Sequence, residues 1–183
     1  MASHSQQSLI VLTGFMGSGK SSVGWALASL LNWGFVDLDY EIERAEGRKI
    51  RDIFAADGEP KFREVEAEAL QRTLQNHARP FVLATGGGVY VQPHNAELLR
   101  QHNAFVVFLE ASAETLLRRC CGEKGEPDAS IRPLARDRDS FLRLYEERLP
   151  LYRTADLTVD ADRRKPEAVA REIARHQHLT TDN

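Results

Sequence analysis

Residues 14–21 read Gly-Phe-Met-Gly-Ser-Gly-Lys-Ser and fit the pattern G-x-x-x-x-G-K-[ST]. A short apolar run rich in β-branched residues precedes this motif at 8–13 and predicts a strand. Apolar residues recur at helical spacing after it, at Val23, Leu27, Leu30 and Leu31. Glycines in such a turn let main-chain N–H groups converge on one point, and the helix that follows adds the positive end of its dipole. The motif therefore predicts a polyphosphate-binding loop between a strand and a helix.

The residue types in this loop suit a nucleoside triphosphate as the ligand. Lys20 is expected to reach the β- and γ-phosphates of ATP, and the Ser21 hydroxyl to ligate a bridging Mg²⁺. The predicted ATP contacts are Gly17, Ser18, Gly19, Lys20, Ser21 and Ser22. The alternative is an ordinary glycine-rich turn that contains a lysine. Average residue usage makes a chance match in a chain of this length on the order of one in a hundred.

Four further apolar runs resemble buried strands, and helical stretches separate them. With the first, the predicted strands cover 8–13, 34–38, 80–85, 104–110 and 156–160. This alternation predicts a three-layer α/β/α fold with a five-stranded parallel sheet, of the P-loop nucleoside triphosphate hydrolase type. The 183 residues are expected to form one domain, 1–183.

Two segments outside the sheet have distinct compositions. Residues 40–78 are charged and amphipathic with a break at Gly58-Glu59-Pro60, which predicts several helices joined by turns. Residues 122–138 are polar, contain prolines and glycines and offer little apolar surface. This second segment is the candidate for a mobile lid.

The composition and the first residues disfavour several classes of protein. The net charge of -3 disfavours a general nucleic-acid binder, and no apolar run approaches the ~20 residues that span a bilayer. The start, MASHSQQ, lacks the pattern of a secretory signal, so a cytoplasmic protein is expected. Cys120 and Cys121 are adjacent, which disfavours a disulfide between them and gives no zinc pattern.

Two carboxylates stand at the carboxyl end of the second predicted strand. Asp37 and Asp39 lie where ligands bind in open parallel sheets, on one face of the chain if it is still extended there. One could hold Mg²⁺ through water while the other accepts a hydrogen bond from an attacking hydroxyl. Asp39 also directly precedes a helical stretch and could simply be its N-cap. The residues alone leave both interpretations open.

Other polar positions are ambiguous when taken singly. Gly86, Gly87 and Gly88 follow the third strand and would let a ligand approach the backbone, or would form a plain flexible turn. Arg63 and Arg148 are two among many arginines, and each is in itself more typical of a solvated helix residue.

The order of motifs resembles the shikimate kinase family. The similarity runs through GFMGSGKSS, DLD, GRKIRDIFAADGEPKFREVE, LATGGGV, IRPL and ERLPLY, which together cover most of the chain. The resemblance implies that Asp39 hydrogen-bonds the acceptor hydroxyl and acts as base, and that Asp37 assists Mg²⁺. It implies that Arg63 and Arg148 hold the shikimate carboxylate, that Phe62 and Glu66 shape the pocket, and that the glycine triplet lies against the substrate.

The same resemblance implies roles around the nucleotide. Arg132 in IRPL would be a lid arginine that covers the transferred phosphoryl group, while Arg119 and Pro166 would pack on the two faces of adenine. Expected partners are the small molecules ATP and shikimate, with Mg²⁺, and neither nucleic acid nor membrane. The family resemblance also implies a monomer.

Two other functions fit part of the pattern. A related small kinase, such as a gluconate kinase, shares the loop and the fold, and only DLD, FREVE and GGG at their places favour shikimate. A non-catalytic nucleotide-binding module would need no carboxylate beside an acceptor. The presence of Ser21, Asp37, Asp39 and Arg132 together disfavours such a module.

Overall fold

The structure is a computed structural model that describes residues 8–121 and 137–181. Within these two stretches, five strands and seven helices alternate along the chain. The strands are β1 (Leu9–Thr13), β2 (Gly34–Asp37), β3 (Phe81–Ala84), β4 (Phe105–Glu110) and β5 (Leu157–Asp160). The helices are α1 (Lys20–Leu31), α2 (Leu38–Glu46), α3 (Ile50–Asn76), α4 (Pro93–Gln101), α5 (Ala113–Cys121), α6 (Arg138–Tyr152) and α7 (Pro166–Thr181).

All strand pairings of the described sheet are parallel, in the order β2-β3-β1-β4-β5. The central strand β1 is bonded on both sides, with Val11 opposite Leu83 of β3 and Val106 of β4. Each predicted strand is found, shortened by one or two residues at its ends. The five-stranded parallel sheet predicted from the apolar runs is therefore confirmed.

Alternate residues of β1 point into two separate cores. Leu9 and Val11 pack with residues of α2, α3 and α4, whereas Ile10 and Leu12 pack with residues of α1 and α7. All four side chains are fully buried, and burying each contributes roughly 2 kcal/mol. Because successive strand residues face opposite sides, an uninterrupted apolar run is what a sheet covered on both faces requires. The three-layer architecture is thus confirmed.

Backbone geometry explains where two of the helices end or bend. Helix α1 ends at Asn32, which adopts the left-handed conformation with φ 55° and donates its N–H to Ala28 O and Ser29 O. Helix α3 is kinked at Gly58, whose φ of 78° interrupts it two residues before Pro60. The kink lets Phe54 and Phe62 meet with ring centroids 4.5 Å apart. The break predicted at Gly58-Glu59-Pro60 is thus found as this kink.

The shortened end of the second strand has a physical cause. Leu38 was expected to be the last residue of the second strand, but it begins α2. The Asp37 carboxylate accepts a hydrogen bond from the Asp39 N–H and so starts the helix at once. The predicted lid, residues 122–138, lies outside the described residues except for its last two positions, of which Arg138 begins α6. Among the helices described, none has the length and apolar character needed to span a membrane.

Candidate active site

The loop between β1 and α1 has the backbone shape that a phosphate cradle needs. Gly17 and Gly19 adopt φ of 81° and 92°, a region that side chains make costly, and Gly19 immediately precedes α1. The Phe15 side chain is fully buried. Its ring makes edge contacts with Phe141 and Tyr145, whose ring centroids are 5.0 and 5.4 Å away, and these contacts fix the position of the loop. The loop is therefore anchored by packing as well as shaped by its glycines.

The Lys20 side chain folds back across this loop. Its Nζ donates to the carbonyl oxygens of Gly14 and Phe15, at 2.9 and 3.0 Å, and lies 3.4 Å from Ser18 Oγ. The ammonium group is thus placed over the turn of the loop. A polyphosphate bound there would meet a positive charge and main-chain donors together.

Two oxygen groups stand next to this cradle. The Ser21 hydroxyl donates to Asp37 Oδ2 at 2.6 Å, and the other oxygen of the Asp37 carboxylate accepts from the Asp39 N–H at 3.1 Å. Asp37, not Asp39, is therefore the helix cap that the sequence left as an alternative. Asp37 is extended but Asp39 is already helical, so the condition under which both carboxylates would share a strand face is not met, although both line the same cavity.

That cavity has a volume of about 600 Å³ and extends from the phosphate loop to α3. Predicted residues that line it are Asp37, Asp39, Phe62, Arg63, Glu66, Gly86, Gly87, Gly88 and Arg148. Sequence reasoning missed seven others, namely Met16, Tyr40, Glu43, Lys49, Ile50, Arg51 and Phe54. The predicted break at Gly58 could have indicated Phe54, because a bend at this point brings Phe54 against Phe62.

The glycine triplet is tightly surrounded by functional side chains. A Cβ on Gly86 would lie 2.9 Å from Asp39 Oδ1 and 3.0 Å from Glu66 Oε1, and one on Gly88 would collide with the Arg63 guanidinium. At these two positions a larger residue would displace side chains of α2 and α3 that approach the backbone closely, so glycine is favoured. The close approach of these side chains favours the interpretation of the triplet as a surface against which a ligand would lie over that of a plain flexible turn.

Glu66 and Arg63 form a buried ion pair. Arg63 Nη1 donates to Glu66 Oε2 at 2.6 Å, and Arg63 Nη2 donates to Glu59 Oε1 at 2.9 Å. The Glu66 side chain is 1% exposed and that of Arg63 is 16% exposed. Burial raises the pKa of Glu66, with Arg63 opposing the rise and Asp39 adding to it. Arg63 is therefore held in one place by carboxylates on its own helix.

Arg148 reaches the same cavity from α6. The residue is 9% exposed, and its Nη1 donates to Gly87 O at 3.3 Å. The interpretation of Arg63 and Arg148 as solvated helix residues is thus wrong for both. Two guanidinium groups from distant parts of the chain converge beside the glycine triplet. Planar donors so arranged suit a carboxylate or a phosphate.

The other residues predicted to contact the nucleotide are Ser18, Ser22, Arg119, Pro166 and Arg132. Arg119 donates to Gly17 O at 3.2 Å and to Ala161 O at 3.1 Å, so its guanidinium spans the loop and the segment after β5. Pro166 begins α7 after that segment. Ser18 is buried and Ser22 is exposed in the first turn of α1. Arg132 lies outside the described residues.

The interpretation of the triplet as a contact surface predicts the effect of Gly88→Ala. The new methyl group would displace the Arg63 guanidinium, and we expect the KM for the carboxylate-bearing substrate to rise about tenfold. The melting temperature should also fall, because the displaced Nη1 is the atom that donates to the buried Glu66 carboxylate. Steady-state kinetics and thermal unfolding measure the two effects.

An Arg63→Ala background provides the control for this prediction. There Gly88→Ala has no guanidinium to displace, so its further effect on KM should be less than twofold. Equal effects in both backgrounds would contradict the interpretation.

Comparisons with known proteins agree with this geometry. The family model described as shikimate kinase matches residues 16–177. A shikimate kinase from Moorella thermoacetica is 45% identical over 166 residues, covering 90% of this chain and 91% of that protein. One from Synechococcus sp. (strain CC9605) is 44% identical over 164 residues, covering 88% and 78%.

Solved structures give the same answer. The shikimate kinase from Acinetobacter baumannii, in complex with shikimate, superposes with a TM-score of 0.84 and 35% identity over 97% of this chain and 95% of that one. A gluconokinase from Sinorhizobium meliloti matches with a TM-score of 0.63 and 22% identity over 97% and 95%, a likeness that shows the fold alone. The family match over most of the chain, together with the site described above, means that this chain belongs to the shikimate kinase family.

Proposed function

We propose that this protein transfers the γ-phosphoryl group of ATP to the 3-hydroxyl of shikimate, giving shikimate 3-phosphate and ADP. The observation that carries the proposal is one cavity in which Asp39, Arg63 and Arg148 converge and which continues to the phosphate loop at Met16. A base, a carboxylate clamp and a phosphate site are thereby contiguous. Family membership and the shikimate-bound relative support the choice of acceptor.

Shikimate is a carboxylate with several hydroxyl groups, and the lining of the cavity matches that chemistry. Arg63 and Arg148 would bind the carboxylate, because each offers a planar fork of donors and neither is freely solvated. Glu66 would hold Arg63 in place, and Phe62 would pack against the ring carbons. The triplet Gly86–Gly88 would admit the hydroxyl groups close to the backbone.

The donor set at Ser21 and Asp37 fits Mg²⁺. A hydroxyl and a carboxylate oxygen 2.6 Å apart beside the phosphate loop are hard oxygen ligands of the kind that Mg²⁺ prefers, with phosphate oxygens and water completing its shell. When bound, Mg²⁺ would neutralise charge on the phosphate oxygens. The residues Ser21 and Asp37 would orient that ion relative to Lys20.

The protein groups contribute position and charge to the transfer. Asp39 would accept the proton of the acceptor hydroxyl as that oxygen attacks phosphorus, and Lys20 would stabilise negative charge on the phosphoryl oxygens. Arg119 and Pro166 are proposed to flank adenine, where Arg119 already bridges the loop and Ala161 O. Arg132, in the proposed lid at 122–138, would complete the charge stabilisation.

We further propose that the protein acts as a single-domain monomer in the cytoplasm. Sedimentation of the purified protein measures its oligomeric state directly.

A coupled assay of ADP release tests the proposed function. ATP and Mg²⁺ should give rapid ADP release with shikimate and at least about 100-fold less with gluconate, whose open chain loses more conformational freedom on binding than the shikimate ring does. Omitting Mg²⁺ should abolish turnover. A preference for gluconate would establish the related sugar-acid kinase instead, and no turnover with either acceptor would point to a non-catalytic nucleotide-binding module.

The raised pKa of Glu66 predicts a pH dependence. Burial keeps this pKa above its usual value, so the ionised form that anchors Arg63 is present above the raised pKa and is lost as the pH falls through it. The KM for shikimate should therefore rise on the acid side, starting at a higher pH than an exposed glutamate would cause.

Glu66→Gln provides the comparison for this pH profile. Glutamine cannot ionise, so the variant should show a high KM already at neutral pH and should lack the acid-side rise assigned to Glu66. A pH profile of KM identical in wild type and variant would contradict the assignment.

A further inference from the structure

The last residue of α6, Tyr152, makes a buried contact with the substrate cavity although it does not line it. The Tyr152 side chain is 0% exposed, and its hydroxyl donates to the carbonyl oxygen of Gly87. Gly87 itself does line the cavity, as the middle residue of the glycine triplet. Tyr152 therefore bonds, from the interior of the protein, to a residue that lines the cavity proposed to hold the acceptor.

The ring of Tyr152 is fixed by packing. It stacks on Phe108 of β4 with centroids 5.2 Å apart and planes 20° apart. Burial raises the pKa of Tyr152 to about 12, so the hydroxyl remains a neutral donor across the physiological range. A rigid ring with a protonated hydroxyl gives the Gly87 carbonyl a partner in one fixed position.

Arg148 shares this carbonyl. Its Nη1 donates to Gly87 O at 3.3 Å, a long bond, and its positive charge opposes the rise that burial causes in the pKa of Tyr152. Tyr152 and Arg148 thus bond to the same carbonyl oxygen, and the tyrosine provides the shorter of the two bonds. If the hydroxyl were removed, the Gly87 carbonyl would have Arg148 as its remaining side-chain partner among the described hydrogen bonds, and the guanidinium would be drawn toward it.

We infer that Tyr152 is a positioning residue: its hydroxyl anchors the Gly87 carbonyl to which Arg148 also donates, so that the arginine presents its remaining donors to the carboxylate of the acceptor. The inference rests on the proposed function, because it takes Arg148 as part of the carboxylate clamp. Tyr152 itself touches neither substrate. Its effect should therefore appear in acceptor binding and not in nucleotide binding.

Tyr152→Phe isolates this effect, since phenylalanine keeps the stack on Phe108 and removes only the hydroxyl. We expect the KM for shikimate to rise about tenfold, with kcat and the KM for ATP within about twofold of wild type. Tyr90→Phe is the matched control. Tyr90 does not line the substrate cavity, and its hydroxyl accepts a hydrogen bond from Thr154 Oγ1 at 3.3 Å. That variant should leave the KM for shikimate unchanged.

A shikimate analogue in which a hydroxymethyl group replaces the carboxylate separates positioning from a general structural role. The inference predicts that Tyr152→Phe and wild type handle this analogue alike, because a displaced Arg148 matters only to a carboxylate. Thermal unfolding of both tyrosine variants should show similar losses, one hydrogen bond each.

The outcomes distinguish the inference from the proposed function. Wild type that turns over shikimate, with an unchanged KM in Tyr152→Phe, overturns the inference alone. Equal increases in the KM for ATP and for shikimate, or an equal increase with the analogue, also overturn it and assign Tyr152 a purely structural role. Wild type that fails to phosphorylate shikimate overturns the proposed function itself.

Discussion

Replacing Asp39 with Asn should lower kcat with shikimate about 1,000-fold while leaving the fold intact. Asparagine keeps the size of the side chain but cannot accept the proton of the attacking hydroxyl. Asp39 Oδ1 lies against Gly86 in the cavity, next to Glu66 and close to Asp37. Asp39 thus lines the same cavity as Arg63, Arg148 and Met16 of the phosphate loop, where the proposed transfer needs a base.

Pre-steady-state and steady-state rates of ADP formation measure this loss. Asp52→Asn is the matched control, because Asp52 is an exposed carboxylate in the first turn of α3 that pairs loosely with Arg51. The control variant should retain wild-type kcat. An Asp39→Asn enzyme within tenfold of wild-type kcat would contradict the role of Asp39 as base.

Replacing Lys20 with Ala should lower kcat/KM for ATP by about 100- to 1,000-fold. The ammonium group lies across the loop at 2.9 and 3.0 Å from two main-chain carbonyls, so a bound polyphosphate would meet it at the point where charge accumulates. The loop should keep its shape without the lysine. Phe15 remains buried under it, and the Ser18 N–H still donates to Phe15 O at 3.2 Å.

Titration with a fluorescent ATP analogue and steady-state kinetics separate lost binding from lost catalysis in this variant. Lys61→Ala is the control, because Lys61 is on the outer face of α3 and pairs with Glu64 at 2.9 Å. That variant should match wild type in both measurements. Full activity of Lys20→Ala would refute the phosphate-site assignment, whereas activity lost together with the fold would refute the claim that packing holds the loop.

Local patterns explain why much of the fold could be predicted from the sequence. The strands are uninterrupted apolar runs because both faces of the sheet are covered, as the two cores on either side of β1 demonstrate. The phosphate loop could be recognised because its function depends on consecutive residues. Asn32 and Gly58 end or bend a helix through their own backbone conformation, so their effect is also local in the sequence.

The convergence of Arg63 and Arg148 could not be derived in this way. They belong to α3 and α6, and only the order of strands in the sheet brings both helices to the carboxyl edge near Gly87. Taken singly, each looked like a solvated arginine, and only the resemblance to a family indicated a clamp. Tertiary contacts decided the outcome.

The capping of α2 shows a second limit. Asp37 and Asp39 are two residues apart, and either could have capped the helix by its residue type. The choice of Asp37 depends on the Ser21 hydroxyl, which orients that carboxylate from α1. Similarly, the need for glycine at Gly86 arises from Asp39 and Glu66, side chains that are distant in sequence.

Product analysis by ³¹P and ¹H nuclear magnetic resonance tests the proposed transfer most directly. Incubation of the protein with shikimate, ATP and Mg²⁺ should give equal amounts of ADP and a phosphate monoester whose phosphorus couples to the proton on carbon 3 of the ring. Release of inorganic phosphate alone, or a phosphoryl group on another hydroxyl, would contradict the placement of the acceptor between Asp39, Arg63 and the loop that carries Lys20.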